Sequence, residues 1–169
     1  MNRFKEGELV FCFNGAGKVE KLDEKGVPIP TDMKLVDFVV EEGARTLLIE
    51  VKDPSNRNAP DKEREKYARK ISTNELISNE LVPKARGAYT FLHLMERDSK
   101  RFLYVVVFGL DRFPNEKALL IGFKERLLQR IRHEGKEPWK RQYIYDCIVV
   151  DLNDWNKHFP EYPVFREVI

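Results

Sequence analysis

The sequence predicts an α/β domain, one mixed β-sheet flanked by helices. Three observations carry this. Two apolar runs rich in β-branched residues, FLYVVVFGL (102–110) and YIYDCIVVDL (143–152), have the composition of strands buried on both faces. Two stretches between the candidate strands repeat apolar residues at helical spacing. MKLVDFVVEEGARTLLIEVKD (33–53) sets β-prone runs on either side of Glu42-Gly43-Ala44, which reads as a hairpin.

In chain order, GELVFCF predicts a short strand at about residues 8–13, broken by Asn14-Gly15-Ala16-Gly17. KVEKLDEK (18–25) reads as a short helix, with a second strand as the alternative. Gly26-Val27-Pro28-Ile29-Pro30 is a loop whose prolines exclude helix. The hairpin follows, then a loop from Asp53 to Pro60. A helix is predicted over 61–81, with Pro60 or Asp61 at its start. Pro83 interrupts it, and a second helix runs through Ala88, Phe91, Leu92 and Met95. After the first apolar strand, Leu119, Leu120, Phe123, Leu127, Leu128 and Ile131 predict one helix over 115–133, ended by Gly135 and Pro138. The second apolar strand, a short helix at 153–158 and an irregular tail through Tyr162, Pro163, Phe165 and Arg166 complete the chain.

A length of 169 residues fits a single domain, 1–169, whose one core needs no staples. The 30 Lys and Arg against 28 Asp and Glu leave a net charge of +2, so any nucleic-acid surface must be local. Cys12 and Cys147 lie in apolar runs and read as buried free thiols of a reducing compartment, with no zinc spacing. The first residues lack the pattern of a signal peptide, and no apolar run approaches the ~20 residues of a spanning helix. The expectation is a cytoplasmic protein with no membrane partner.

The hairpin holds the chemistry. A loop centred on Gly43 and Ala44 makes paired positions sum to 87, so Asp37 faces Glu50. Gly43 is expected to supply a positive φ there. Alternation puts Glu50 and Lys52 on one face with Asp37. Val36, Phe38, Val40, Leu47, Ile49 and Val51 take the other face, toward a core. Glu50 and Lys52 are accordingly expected to point away from it. Two opposed carboxylates repel unless a cation neutralises them, and hard oxygen donors suit Mg²⁺ or Mn²⁺.

Asp37 followed thirteen residues later by Glu50-Val51-Lys52 on the next strand resembles the PD-(D/E)XK nuclease superfamily, the restriction-endonuclease-like fold. The wider VDF…IEVKDP pattern is similar to that of uncharacterised prokaryotic members, and the resemblance is specific over about residues 20–54. It implies an αβββαβ core and a metal-dependent phosphodiesterase, a nuclease acting on DNA rather than RNA. Asp37 and Glu50, with the backbone carbonyl of Val51, would ligate the metal. Lys52 would position or activate the attacking water and stabilise charge on the phosphate. The residue before the aspartate is Val36 and not proline. A further carboxylate from the first helix would be Glu20 or Asp23. The Gln-xxx-Tyr signature of one branch is absent, Glu63 and Tyr67 standing at its spacing. A small domain with little recognition apparatus points to a homodimer or a component of a larger complex. The alternative function is a catalytically inactive nuclease-fold module that binds nucleic acid or a protein partner.

Outside the hairpin, residues 124–141 hold seven Lys or Arg against three Glu, a local +4, with Trp139 among them. Arg126, Arg130, Arg132, His133, Lys136, Lys140 and Arg141 could contact phosphates or simply face water. The same two readings apply to Lys62, Arg64, Lys66, Arg69 and Lys70 on the helix after the hairpin. Trp155 reads as a packing anchor, Asp146 and Asp151 as strand-end residues, and the three histidines share no metal spacing. Gly15-Ala16-Gly17-Lys18 lacks the spacing of a phosphate loop.

Overall fold

The computed structural model of the chain describes residues 2–22, 29–30, 32–59 and 61–167. Asp23, the first three residues of the Gly26–Pro30 loop and the Pro60 helix start lie outside the described residues.

The chain opens with an antiparallel hairpin of β1 (Arg3–Glu6) and β2 (Leu9–Cys12). Gly7 turns it at a φ of 59°, a conformation that favours glycine. An antiparallel meander follows: β3 (Lys18–Lys21), β4 (Phe38–Glu41) and β5 (Arg45–Lys52). Helices α1 (Asp61–Ser72) and α2 (Val82–Leu94) lead to β6 (Arg101–Phe108), parallel to β5. Helix α3 (Phe123–Arg132) leads to β7 (Asp146–Asp151), parallel to β6. Helix α4 (Leu152–His158) and β8 (Val164–Arg166) finish the fold, with β8 antiparallel to β2. The five-stranded sheet has the order β3-β4-β5-β6-β7, and the smaller sheet β1-β2-β8. The protein is a mixed α/β structure. No helix among the described residues is long and apolar enough to cross a membrane.

The layering follows from connectivity. Both parallel crossovers step the same way across the sheet, so crossovers of one hand lay their helices on one face. Ile71, Ala85, Leu92 and Leu127 of α1–α3 accordingly share a core with Val39, Leu48, Tyr104 and Val106. The opposite face carries Phe38, Val40, Leu47, Ile49 and Val51 against Leu9, Phe11 and Phe13 of the smaller sheet and Trp155 of α4. Being covered on both sides, β6 is apolar along almost its whole length. Trp155 is fully buried, meets Phe11 edge-on at 5.3 Å and donates its indole N–H to the Tyr162 carbonyl at 2.6 Å. Both cysteines are buried and free.

Several local expectations are corrected. Residues 18–21 form β3 and not a helix, because Val19 and its neighbours find a partner edge in β4. Among the described residues no helix precedes the meander. Gly43 does not take a left-handed φ; the turn is closed by the Glu42 N–H to the Arg45 carbonyl at 2.9 Å and by the Arg45–Glu42 ion pair at 2.8 Å. The helix read over 61–81 ends at Ser72. There the Ser72 and Thr73 hydroxyls bond back to the Ala68 and Arg69 carbonyls, and Asn74 turns the chain at a φ of 63°. The helix read over 115–133 is two pieces, a 3₁₀ segment Pro114–Leu120 and α3, divided by Gly122 at a φ of 73°. The tail is not irregular, since Val164–Arg166 pairs with β2. Arg166 pins that strand through Asp53, Asp111 and Glu8 at 2.8, 2.7 and 3.2 Å.

Candidate metal centre

The hairpin register is Phe38↔Ile49, Val39↔Leu48, Val40↔Leu47 and Glu41↔Thr46, each pair summing to 87. Carried one step further, it sets Asp37 opposite Glu50, as the sequence requires. Asp37 lies just before β4, where the Leu22 N–H holds its carbonyl at 3.0 Å. Its Oδ2 accepts the Val51 N–H at 2.7 Å, which fixes the carboxyl against β5. The Val51 side chain turns to the opposite layer.

Both faces of β5 are buried, and this corrects the expectation that Glu50 and Lys52 point away from a core. Glu50 is 0% exposed, Asp37 5% and Lys52 9%. They lie on the helix-covered face, beneath the connection between α1 and α2. That burial argues against charges merely facing water. It also means that substitutions at Glu50 and Lys52 act on stability as well as on chemistry.

Two residues that sequence reasoning missed complete the arrangement. Lys84 of α2 donates to Glu50 Oε1 at 3.0 Å. Glu80 accepts from Lys52 Nζ at 2.9 Å and from Lys70 Nζ at 3.5 Å. Their delivery has a local cause. Pro83 has no N–H to give the turn before it, and the Asn79 carbonyl in that turn accepts from Lys34 Nζ at 3.4 Å. The preceding turn, Ile77–Leu81, is a π-helix in which the Val82 N–H reaches back to the Ile77 carbonyl. Gly87 then lets α2 sit on the segment leading to Asp37, since a Cβ there would lie 1.7 Å from the Lys34 carbonyl oxygen. One sequence signal was available. Glu80 and Lys84 sit four apart along the apolar stripe of Ile77, Leu81, Ala85 and Ala88, where a charge needs an internal partner.

Burial first, and then the neighbouring Glu50 charge, push the Asp37 pKa far above its ordinary 3.8, so Asp37 holds a proton in this state. Glu6 of β1 adds a smaller push in the same direction. Burial opposes the charge on Lys84, but the Glu50 carboxylate outweighs it and the pKa is raised. Tyr67 of α1, which stands at the Gln-xxx-Tyr spacing with Glu63 in place of the glutamine, belongs to this environment. Burial, then the charges of Glu80 and Glu50, raise its pKa and keep its hydroxyl protonated.

The donor chemistry fits a small hard cation. The buried Glu50 Oε2 accepts no N–H among the described residues, and Glu50 lies beside the Asp37 carboxyl. Among the described residues no group of three or more His, Cys, Asp or Glu converges. Mg²⁺ commonly makes do with one or two protein carboxylates and keeps several waters. Asp37, Glu50 and the Val51 carbonyl are the groups that would hold it. Glu20 does not join them, being ion-paired with Arg97 at 3.0 Å. The helix α1 beside the site presents Lys62, Arg64, Lys66 and Arg69 to solvent, although Arg64 is tied to Glu116 at 3.2 Å. In the second basic group, Arg126 is committed to Asn74 and to the Ile71 carbonyl, and Arg132 to the Tyr145 carbonyl. Arg130, His133, Lys136, Lys140 and Arg141 are exposed. Trp139 donates to Glu134 at 3.0 Å and is 47% exposed. No family model, curated protein or solved structure matches this chain.

Proposed function

We propose that this chain is a Mg²⁺- or Mn²⁺-dependent phosphodiesterase of the PD-(D/E)XK type, a nuclease acting on DNA before RNA. The observation that carries the reading is the opposed Asp37–Glu50 pair, two carboxyls buried side by side. Two buried carboxylates in contact are costly unless a proton or a cation neutralises one of them. The order β3-β4-β5, helices, β6 is compatible with the part of the αβββαβ core that follows its first helix, while α3 and β7 extend beyond it and no first helix lies among the described residues.

Each residue has a definable task. Asp37 and Glu50, with the Val51 carbonyl, would hold the cation, and Asp37 would give up its proton to do so. The cation, when bound, polarises the phosphodiester and lowers the pKa of a water at the site. Lys52 is held by Glu80 at 2.9 Å, with its ammonium available to stabilise charge that develops on the phosphate. The exposed cations of α1, Lys62, Lys66 and Arg69, supply a phosphate-binding flank on the same side.

The test is direct. With Mn²⁺ or Mg²⁺ the purified protein nicks or degrades DNA, and Lys52→Ala lowers the rate by ~10²–10³ while the fold persists. Lys52 is buried, so the variant loses stability too; Glu80 keeps Lys70, and a metal-free melt shows that the fold persists before rates are compared. If single-stranded, double-stranded and branched DNA and RNA all survive with either ion, the enzymatic reading falls. A second reading, an inactive nucleic-acid- or protein-binding module of the same fold, is favoured by one feature. Lys84 and Glu80 already neutralise Glu50 and Lys52 from within the chain. On that reading Mn²⁺ leaves the melting temperature unchanged.

A further inference from the structure

Lys84 stands where a divalent cation would have to act. Its Nζ lies 3.0 Å from Glu50 Oε1 and is the one cation among the described residues in contact with that carboxylate. The Glu50 side chain is 1% exposed, so water cannot substitute for the ammonium without entering the layer. The two lysines of the site are held differently. Lys52 is 10% exposed and pinned by Glu80, whereas Lys84 is 26% exposed, on a flexible four-carbon stem at the solvent side. The helix beneath it cannot yield easily, because Gly87 sits directly on the Lys34 backbone. Any exchange at Glu50 therefore falls to the lysine side chain and not to a helix movement.

We propose that Lys84 is a built-in competitor for the metal site, an internal ammonium that must leave Glu50 before a divalent cation is held. This rests on the metal reading of Asp37 and Glu50. At Glu50 the exchange is one of ionic contacts: the ammonium goes to solvent still protonated and the cation takes over the Glu50 charge, while the Asp37 proton is the one released to water. The device sets a threshold. The site loads only when the ion is concentrated enough to displace a tethered cation, and the lysine freed by loading becomes an added positive group at the mouth of the site.

The experiment measures Mn²⁺ binding alone, by titration calorimetry and by the shift in melting temperature, on the full chain and on two variants. Lys84→Gln removes the charge but retains a donor for Glu50, so folding is preserved; urea titration without metal checks this. Lys70→Gln removes an equal charge from the part-exposed pair with Glu80. Lys84→Gln is expected to bind Mn²⁺ about ten- to a hundredfold more tightly than the parent, the equivalent of one charge-assisted hydrogen bond. Lys70→Gln is expected to change binding by less than about fivefold, as for an exposed pair. Unchanged or weaker binding in Lys84→Gln overturns the competitor role while leaving the metal site in place. Equal tightening in both variants overturns it too, since overall charge would then explain the result. If neither the parent nor Lys84→Gln binds Mn²⁺, the metal reading itself fails and the competitor falls with it.

Discussion

Asp37→Asn should make the protein more stable at neutral and mildly alkaline pH while removing its response to metal. Asp37 is an acid whose folded pKa is raised above its unfolded 3.8 by burial and by Glu50. Between those two values the native state binds one proton more than the unfolded state, so stability falls as pH rises through that window. The limiting slope for one proton is about 1.36 kcal/mol per pH unit. From pH 6 to pH 8 the parent should thus lose up to roughly 2.7 kcal/mol that the variant keeps. Asparagine imitates the protonated acid: its carbonyl can accept the Val51 N–H that Oδ2 now accepts at 2.7 Å, and its amide can donate toward Glu50. In a domain of this size the difference corresponds to roughly 5–10 °C in melting temperature. Thermal melts at pH 5, 6, 7 and 8 read it out, the two proteins converging at the acid end and separating at the alkaline end. Because metal binding expels the Asp37 proton, Mn²⁺ should stabilise the parent more at pH 8 than at pH 6, and Asp37→Asn hardly at all. Parallel pH profiles, or a variant that melts below the parent at pH 8, would refute the assignment of a proton to Asp37.

Two further substitutions test how the site is held. Gly87→Ala should cost at least the roughly 1–3 kcal/mol typical of overpacking, because its Cβ meets backbone and not a movable side chain; chemical denaturation measures it, and a neutral result would mean that α2 does not rest on Lys34. If the helix is displaced instead, Lys84 leaves Glu50 and Mn²⁺ binding changes along with stability. Trp155→Ala should cost about 3–5 kcal/mol through loss of its packing between the sheets, with metal affinity unaltered, as the tryptophan belongs to the opposite layer.

The hairpin shows why part of this protein was legible from residues alone. Side chains alternate strictly along a strand and a two-residue turn sets the pairing sum, so Asp37 opposite Glu50 followed from counting. The apolar runs of β6 and β7 were equally plain, because a strand covered on both faces has no polar side to disguise it. Gly43 shows the limit of local rules: the register was correct although the expected φ was not, since side chains and the Glu42 N–H close the turn.

Tertiary structure decided what local pattern could not contain. Whether KVEK becomes helix or strand depends on an unfilled β4 edge, and whether Val164–Arg166 is a strand depends on β2, more than 150 residues away. The short polar segments have weak preferences of their own, and a partner edge supplies the hydrogen bonds that settle them. The same holds at the site. Sequence determined the two carboxylates and the lysine of the hairpin, but crossover connectivity determined that helices cover that face and that Lys84 and Glu80 come to rest on Glu50 and Lys52. A charge on an apolar helix stripe announces that it has a partner. Which one it takes is a matter of how helix and sheet pack, and that is not written in the spacing of either element.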